Sequence, residues 1–311
     1  MRLDAYELEQ RLGRGHSAEV WKARMVAPIS GVELTPGSTV AMKIYLPSLL
    51  HGFQALRVQR EFSVASELLH ENLARVYDLV LSPSRPFNTF MVMEYVKVPT
   101  LKSFIEQKGK LSLREVVTIA CQLFSALAEL HSVGAIHRDV KAANIMLDGQ
   151  MLAGENPTDL KLKLVDLGIV SLATDDQFTA ASVFLGSKRS APLEQLSGGE
   201  PDERTDIYGA GSVLFHCIRG VPMYQGVGPE GAIVMKMLST PERLDLEPGS
   251  GQVASVQQQL VNFVNRCISV TARERPGTAQ ECLIEFEKMR ANVSRIAGQA
   301  GSLRMSQWAP I

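Results

Sequence analysis

The residue types able to do chemistry concentrate in Ile136-His137-Arg138-Asp139-Val140-Lys141-Ala142-Ala143-Asn144-Ile145 and, further on, in Leu164-Val165-Asp166-Leu167-Gly168. Asp139, Lys141, Asn144 and Asp166 set an acid, a cation, an amide oxygen and a second acid beside apolar, strand-like flanks. That set suits phosphoryl transfer, in which a carboxylate orients the attacking hydroxyl, cations neutralise phosphate oxygens and hard oxygen ligands hold Mg²⁺. Chance seldom produces H-R-D-x-K-x-x-N followed by D-x-G, in that order, downstream of a glycine-rich loop and a strand lysine.

The glycine-rich loop is Leu12-Gly13-Arg14-Gly15-His16-Ser17-Ala18-Glu19-Val20. Glycines at alternate positions let a hairpin backbone approach an anion and offer it N–H groups. Taken alone, the pattern serves a tight hairpin without ligand equally well. A dinucleotide-binding fingerprint fits worse, because it needs a strand followed by a helix, and Ala18 to Met25 reads as another strand. The lysine is Lys43, in the middle of the apolar strand Val40-Ala41-Met42-Lys43-Ile44. A functional lysine there needs a carboxylate partner. Glu61 is the candidate, and Glu67 is a second, close to where the helix is expected to end.

The elements that must position these groups divide the chain into two halves. Tyr6 to Leu12, Ala18 to Met25, Thr39 to Tyr45, Leu73 to Leu81 and Phe90 to Tyr95 read as strands, interrupted by one helix-period segment, Leu56 to Leu69. After Thr100 the apolar spacing becomes helical over Leu101 to Glu106, Ser112 to His131, Asp206 to Arg219, Val253 to Val270 and Thr278 to Arg295. Turn-rich segments at Asp148 to Asp159 and Ser171 to Arg204 separate these helices, and long irregular segments are commonly functional. From Ile296 the periodicity weakens, as in a linker or a docked terminus.

The composition supports a folded chain of two units or one two-lobed unit: 311 residues, 45% hydrophobic and 21% charged. Lys+Arg 32 against Asp+Glu 33 gives a net charge of −1 and no global electrostatic case for nucleic acid or an anionic membrane surface. Cys121, Cys217, Cys267 and Cys282 form no C-x-x-C pair and read as buried thiols of a reducing compartment. The N-terminus lacks the apolar run of a signal peptide, and Val116 to Ile136 is broken by Gln122, Glu129, His131 and Ser132. The chain is therefore expected to be soluble and cytoplasmic, with no membrane segment; its oligomeric state is not legible.

From Tyr6 to about Arg290 the chain resembles a eukaryotic-type (Hanks-type) serine/threonine protein kinase catalytic domain. The resemblance implies an α+β, bilobal protein-kinase-like fold: a small antiparallel-sheet N-lobe with one helix over 6–95, a larger mainly helical C-lobe over 96–290, and a tail or linker over 291–311. It implies Mg-ATP, or Mn-ATP, as phosphoryl donor and protein serines and threonines as acceptors. By similarity Gly13 and Gly15 shape the loop over the ATP phosphates, and Lys43 contacts the α/β-phosphates while pairing with Glu61. Asp139 is the catalytic base, Lys141 the γ-phosphate contact, and Asn144 and Asp166 the metal ligands. Leu12, Val20, Ala41 and Met146 sandwich the adenine, Met93 is the gatekeeper, and Glu94 and Val96 give the hinge backbone contacts. Asp206 resembles the aspartate that holds the catalytic loop, and Arg275 the arginine that pairs with the glutamate ending the activation segment, here Glu194.

The chain departs from the family pattern at several positions. Ala18 replaces a third glycine, Leu167 replaces the aromatic residue of D-F-G, the A-P-E motif reads Pro192-Leu193-Glu194, and Ser190 stands where a tyrosine is usual. Insertions at Ala27 to Ser38 and Asp148 to Asp159 read as surface loops. These changes spare the phosphate and metal groups. The resemblance also implies autophosphorylation of the activation segment, with Thr179 the preferred site over Thr174 and Ser182. A rival reading is a pseudokinase that binds nucleotide or partners without turnover.

Overall fold

The computed structural model describes residues 2–15, 18–46, 53–81, 89–148, 160–166, 171–172, 190–237, 243–245 and 251–299. Six strands form one antiparallel sheet in the order β1-β2-β3-β4-β6-β5, comprising β1 (Arg2–Leu3), β2 (Tyr6–Arg14), β3 (Ala18–Met25), β4 (Thr39–Tyr45), β5 (Val76–Val80) and β6 (Phe90–Glu94). Helix α1 (Phe53–Glu67) lies between β4 and β5 in sequence.

The two faces of this sheet follow the strand period of two. Val40 and Met42 of β4 join Phe90 and Val92 of β6, with Leu3, Tyr6, Leu8 and Met25, in one apolar cluster. Ile29 and Leu34 of the Ala27 to Ser38 insertion pack on it, so that loop roofs the outer face of the sheet. The alternate residues, Ala41, Met91 and Met93, join a second cluster that runs on into the helical half. Lys43 shares the parity of Ala41, which turns a lysine toward the space between the halves.

The helical half contains α2 (Leu101–Lys108), α3 (Leu113–Ser132), α4 (Leu193–Leu196), α5 (Glu203–Arg219), α6 (Pro229–Met237), α7 (Gly251–Cys267) and α8 (Ala279–Gln299). Short strands β7 (Ala135–Ile136), β8 (Ile145–Asp148), β9 (Lys161–Leu164) and β10 (Ser171–Leu172) complete it. Helix α3 starts at a capping box, in which Ser112 accepts from the Glu115 amide and the Glu115 carboxylate accepts from the Ser112 amide. Its apolar side packs on α8, with Phe124 and Phe286 rings stacked at 5.4 Å between centroids and Phe263 edge-on to Phe286 at 5.2 Å. Helix α8 runs on to Gln299 and buries Val293 and Ile296, so packed helix extends into the segment expected to be a tail from 291. The four cysteines are free thiols and buried. Among the described residues no helix is long and apolar enough to cross a membrane.

Candidate functional site

The β8–β9 hairpin brings the two halves of the chemical motif together. Its antiparallel register sets Ile145 opposite Leu164 and Asp148 opposite Lys161. Asn144, just before β8, therefore meets Val165, just after β9, and the Val165 amide donates to the Asn144 carbonyl at 2.9 Å. Asp166 follows directly, with φ at +66°, a left-handed conformation that non-glycine residues adopt at a cost of about 1–3 kcal/mol.

Lys43 reaches this turn from the sheet. It is only 5% exposed, and its Nζ donates to Asp166 Oδ1 at 2.7 Å. Burial pushes the Asp166 carboxyl up, but the Lys43 charge and hydrogen bond, with the charges of His137 and Lys141, hold it below the usual carboxylate value. Glu61 lies in α1, but its side chain is outside the described residues.

Asp139 is buried and wired on three sides. Lys141 Nζ donates to its Oδ2 at 2.5 Å, and Asn144 Nδ2 donates to its carbonyl at 3.0 Å and to Oδ2 at 3.1 Å. Its amide donates to His137 Nδ1 at 3.3 Å, while His137 Nε2 donates to the Val165 carbonyl at 3.3 Å. His137 thus ties the loop of Asp139 to the turn of Asp166.

A buried carboxylate holds the loop from beneath. Asp206, in the first turn of α5, accepts from the His137 amide at 2.8 Å, the Arg138 amide at 2.8 Å and His131 Nε2 at 2.9 Å. Burial raises its pKa, but the His131 hydrogen bond and charge, the His137 charge and the His137 amide lower it further, below the usual value. These bonds support Arg138 at φ +67°, the second left-handed residue of the site. Gly209, one turn along α5, is fixed by contact, because a Cβ there would lie 2.8 Å from Val140 Cβ and 2.9 Å from its carbonyl oxygen.

The residues expected to face nucleotide lie on the sheet, on β8 and just after β6. In the sheet Gly13 pairs with Val20, Val20 with Lys43, and Ala41 with Met93. Val20, Ala41 and Met93 belong to the apolar cluster that continues into the helical half, whereas Leu12 is 44% exposed on β2. On β8, Ile145 and Leu147 are buried and Met146, of opposite parity, is partly exposed. Val96 is partly exposed just after β6. Among the described residues, a Cβ at Gly13 meets nothing within 4 Å, and one at Gly15 meets Ala18 O at 3.5 Å. The Glu94 carboxylate accepts from Lys163 Nζ at 2.8 Å and from the Arg75 amide at 3.2 Å.

Beyond the loop, Arg275 clasps Glu194 through two bonds, Nη1 to Oε1 at 2.5 Å and Nη2 to Oε2 at 3.1 Å. Gln195, one residue on, donates Nε2 to the Arg138 carbonyl at 3.0 Å.

A description of the protein kinase domain matches residues 6–286. The chain belongs to the protein kinase family. It is similar to the serine/threonine-protein kinase PkaA of Streptomyces coelicolor, 30% identical over 276 residues, covering 87% of this chain and 47% of that protein. It is also similar to the serine/threonine-protein kinase PknB of Mycolicibacterium smegmatis, 30% identical over 303 residues, covering 96% of this chain and 44% of the relative. A probable serine/threonine-protein kinase PknB of Bifidobacterium longum is 33% identical over 230 residues, 71% of this chain and 31% of the relative. The kinase chain spans less than half the length of these curated relatives.

Within the kinase fold, several residues that sequence reasoning assigned no role prove to support the site. His131, His137, Gly209 and Gln195 hold the Asp139 loop, and Lys236 of α6 lies buried beneath the Glu194 segment. The signal for Lys236 is a charge inside the apolar run Ala232-Ile233-Val234-Met235 to Met237. Leu167, Thr174, Thr179, Ser182 and the Asp148 to Asp159 insertion beyond its first residue fall outside the described residues.

Proposed function

We propose that this kinase transfers the γ-phosphoryl group of ATP to serine or threonine hydroxyls of proteins. The supporting observation is the convergence of Lys43, Asp139, Lys141, Asn144 and Asp166 in one turn-and-hairpin unit. Asp139, fixed by three neighbours, orients the incoming hydroxyl and accepts its proton as the O–P bond forms, and the electron pair leaves with the bridging oxygen of ADP. Lys141 is poised on the same carboxylate to neutralise γ-phosphate oxygens, and Lys43 is held by Asp166 where it meets the α/β-phosphates. Among the described residues nothing closer than 3.5 Å would meet a side chain at Gly13 or Gly15, in keeping with a backbone that approaches phosphate.

The donor set fits Mg²⁺ or Mn²⁺. Asn144 spends its amide nitrogen on Asp139, which leaves its amide oxygen, and with Asp166 this gives hard oxygen ligands and nothing soft. Asn144 and Asp166 would hold such an ion, and it would supply positive charge against the phosphate oxygens. Val20, Ala41, Met93 and Met146 provide the apolar slot for adenine, with Leu12 as its outer edge and the Glu94 and Val96 backbone as hinge contacts. Lys43 also serves Glu61 in this reading, and Thr179 is the autophosphorylation site, its phosphate read by Arg138.

Intact mass after incubation with Mg-ATP tests the activity. Additions of phosphate are expected on the wild type, none on a folded Asp139→Ala variant, and none in excess EDTA. A wild type that gains no mass and labels no protein would favour the pseudokinase.

A further inference from the structure

Lys236 is the least expected charge in the molecule. It lies in α6, 1% exposed, and its Nζ donates to the Ala191 carbonyl at 2.6 Å. Two rings face the ammonium: Tyr208 of α5 at 5.6 Å and Tyr224 of the α5–α6 connection at 5.4 Å. Among the described residues, the charges felt there include Glu194 of α4 and Arg275, which pair with each other. The stretch so held, Ser190 to Gln195, is anchored at its far end to the Arg138 carbonyl, one residue before Asp139. A polypeptide that delivers a hydroxyl to Asp139 must therefore pass beside this stretch.

We propose that Lys236 is a positioning residue for the protein substrate, pinning the Ala191 carbonyl from beneath so that Ser190 to Gln195 forms a fixed floor beside Asp139. The proposal deepens the kinase reading and rests on it. A fully buried charge kept at such a place costs stability that a methionine of similar length would not cost, so packing alone does not explain it. Three anchors then locate the floor: Arg275 on Glu194, Gln195 on the loop, and Lys236 on Ala191. Burial and the nearby Arg275 charge, partly offset by Glu194, bring the lysine down to about 7, so the pin is strongest when protonated and weakens as pH rises past that value.

The test compares the wild type with Lys236→Met by hydrogen exchange and kinetics. Exchange is followed at the Leu196 and Ser197 amides, which donate to Pro192 and Leu193. Kinetics use an N-acetylated serine/threonine peptide without His or Cys, selected from a library on the wild type. The expected result is faster exchange in this stretch and a peptide KM raised about fivefold or more, with ATP KM unchanged and Tm not lowered. Unchanged exchange and peptide KM would overturn the proposal, as would a rise in ATP KM parallel to the peptide effect. A wild type that phosphorylates no library peptide counts against the kinase reading, and exchange alone then decides on the pin. If the Met variant fails to fold, the wild type decides: exchange corrected for its intrinsic pH dependence, and peptide KM, rise between about pH 6 and 8.5 if the pin is real. Flat profiles overturn it.

Discussion

Lys43 illustrates how a single residue separates activity from stability. Its strand is apolar on both faces, and the ammonium is retained through Asp166 at 2.7 Å. Lys43→Met keeps the length and removes the cation; on the proposed role kcat is expected to fall by about 10³-fold or more, a larger effect than the stability lost when Asp166 is left without its partner. A folded Met variant with near-wild-type turnover would remove Lys43 from the chemistry. His131 makes the opposite case, a residue of stability. Burial lowers its pKa, but the bond and charge of Asp206 and those of Glu203 raise it more, above its usual 6.5. A base whose folded value is raised stabilises fully below the unfolded value, and that stabilisation disappears as pH climbs through the folded value. Compared in urea, His131→Gln is therefore expected to trail the wild type most below pH 6.5 and progressively less above it. A gap independent of pH would mean that His131 contributes by packing alone.

At the scale of elements, the loop that carries Asp139 is a short irregular segment whose shape is imposed by its neighbours. Asp206 takes two of its amides, Gln195 one carbonyl, and Gly209 lets α5 lie against Val140. Gly209→Ala inserts a methyl at 2.8 Å from the Val140 side chain, so loop and helix must part. Overpacking of this kind costs about 1–3 kcal/mol, and a displaced Asp139 is expected to cost roughly 10²-fold in kcat with ATP KM nearly unchanged. Crystallography or HDX of the variant locates the shift, and wild-type kcat would show that the contact relaxes harmlessly. Ala18 to Met25 and Thr39 to Tyr45 were legible residue for residue as strands, because alternation and bounding turn residues agree there. The resemblance also groups Lys43, Asp139, Asn144 and Asp166, and the structure brings these residues together. Helix α6 and strand β10 were not legible, and β7 to β9 showed only as strand-like flanks of the motif without bounds. They are short, and a two- or four-residue strand carries too few side chains to show a period. Gln195 and His131 were hidden for another reason: their roles depend on partners distant in sequence, and no local pattern marks such a hydrogen bond.

On the scale of the whole molecule, the sheet half and the helical half are joined behind the cleft as well as through the Glu94 to Thr100 connection. Asn72, between α1 and β5, is buried and donates Nδ2 to the Leu162 carbonyl at 2.9 Å and to Gln122 Oε1 at 3.1 Å. Its own carbonyl accepts from the Leu164 amide at 2.8 Å, and the Ala74 amide donates to Leu164 O at 2.9 Å. Thus β9, which leads straight into Asp166, is bonded to the sheet half as though it were a further strand. The Glu94–Lys163 ion pair at 2.8 Å spans the same joint, but both side chains are more than a quarter exposed. The two links differ in physical kind. A partly exposed pair is worth about 0–1 kcal/mol after screening and side-chain entropy, whereas losing a buried amide donor to the Leu162 carbonyl costs about 1–3 kcal/mol. Asn72→Ala is therefore expected to lower unfolding free energy in urea more than Lys163→Met does, and to raise ATP KM several-fold, because the Asp166 turn moves relative to Lys43. Raised salt should narrow the small deficit of Lys163→Met and leave that of Asn72→Ala in place. If Lys163→Met proved the more damaging change, the joint would be electrostatic, and the buried Asn72 network would be only a consequence of how the halves meet.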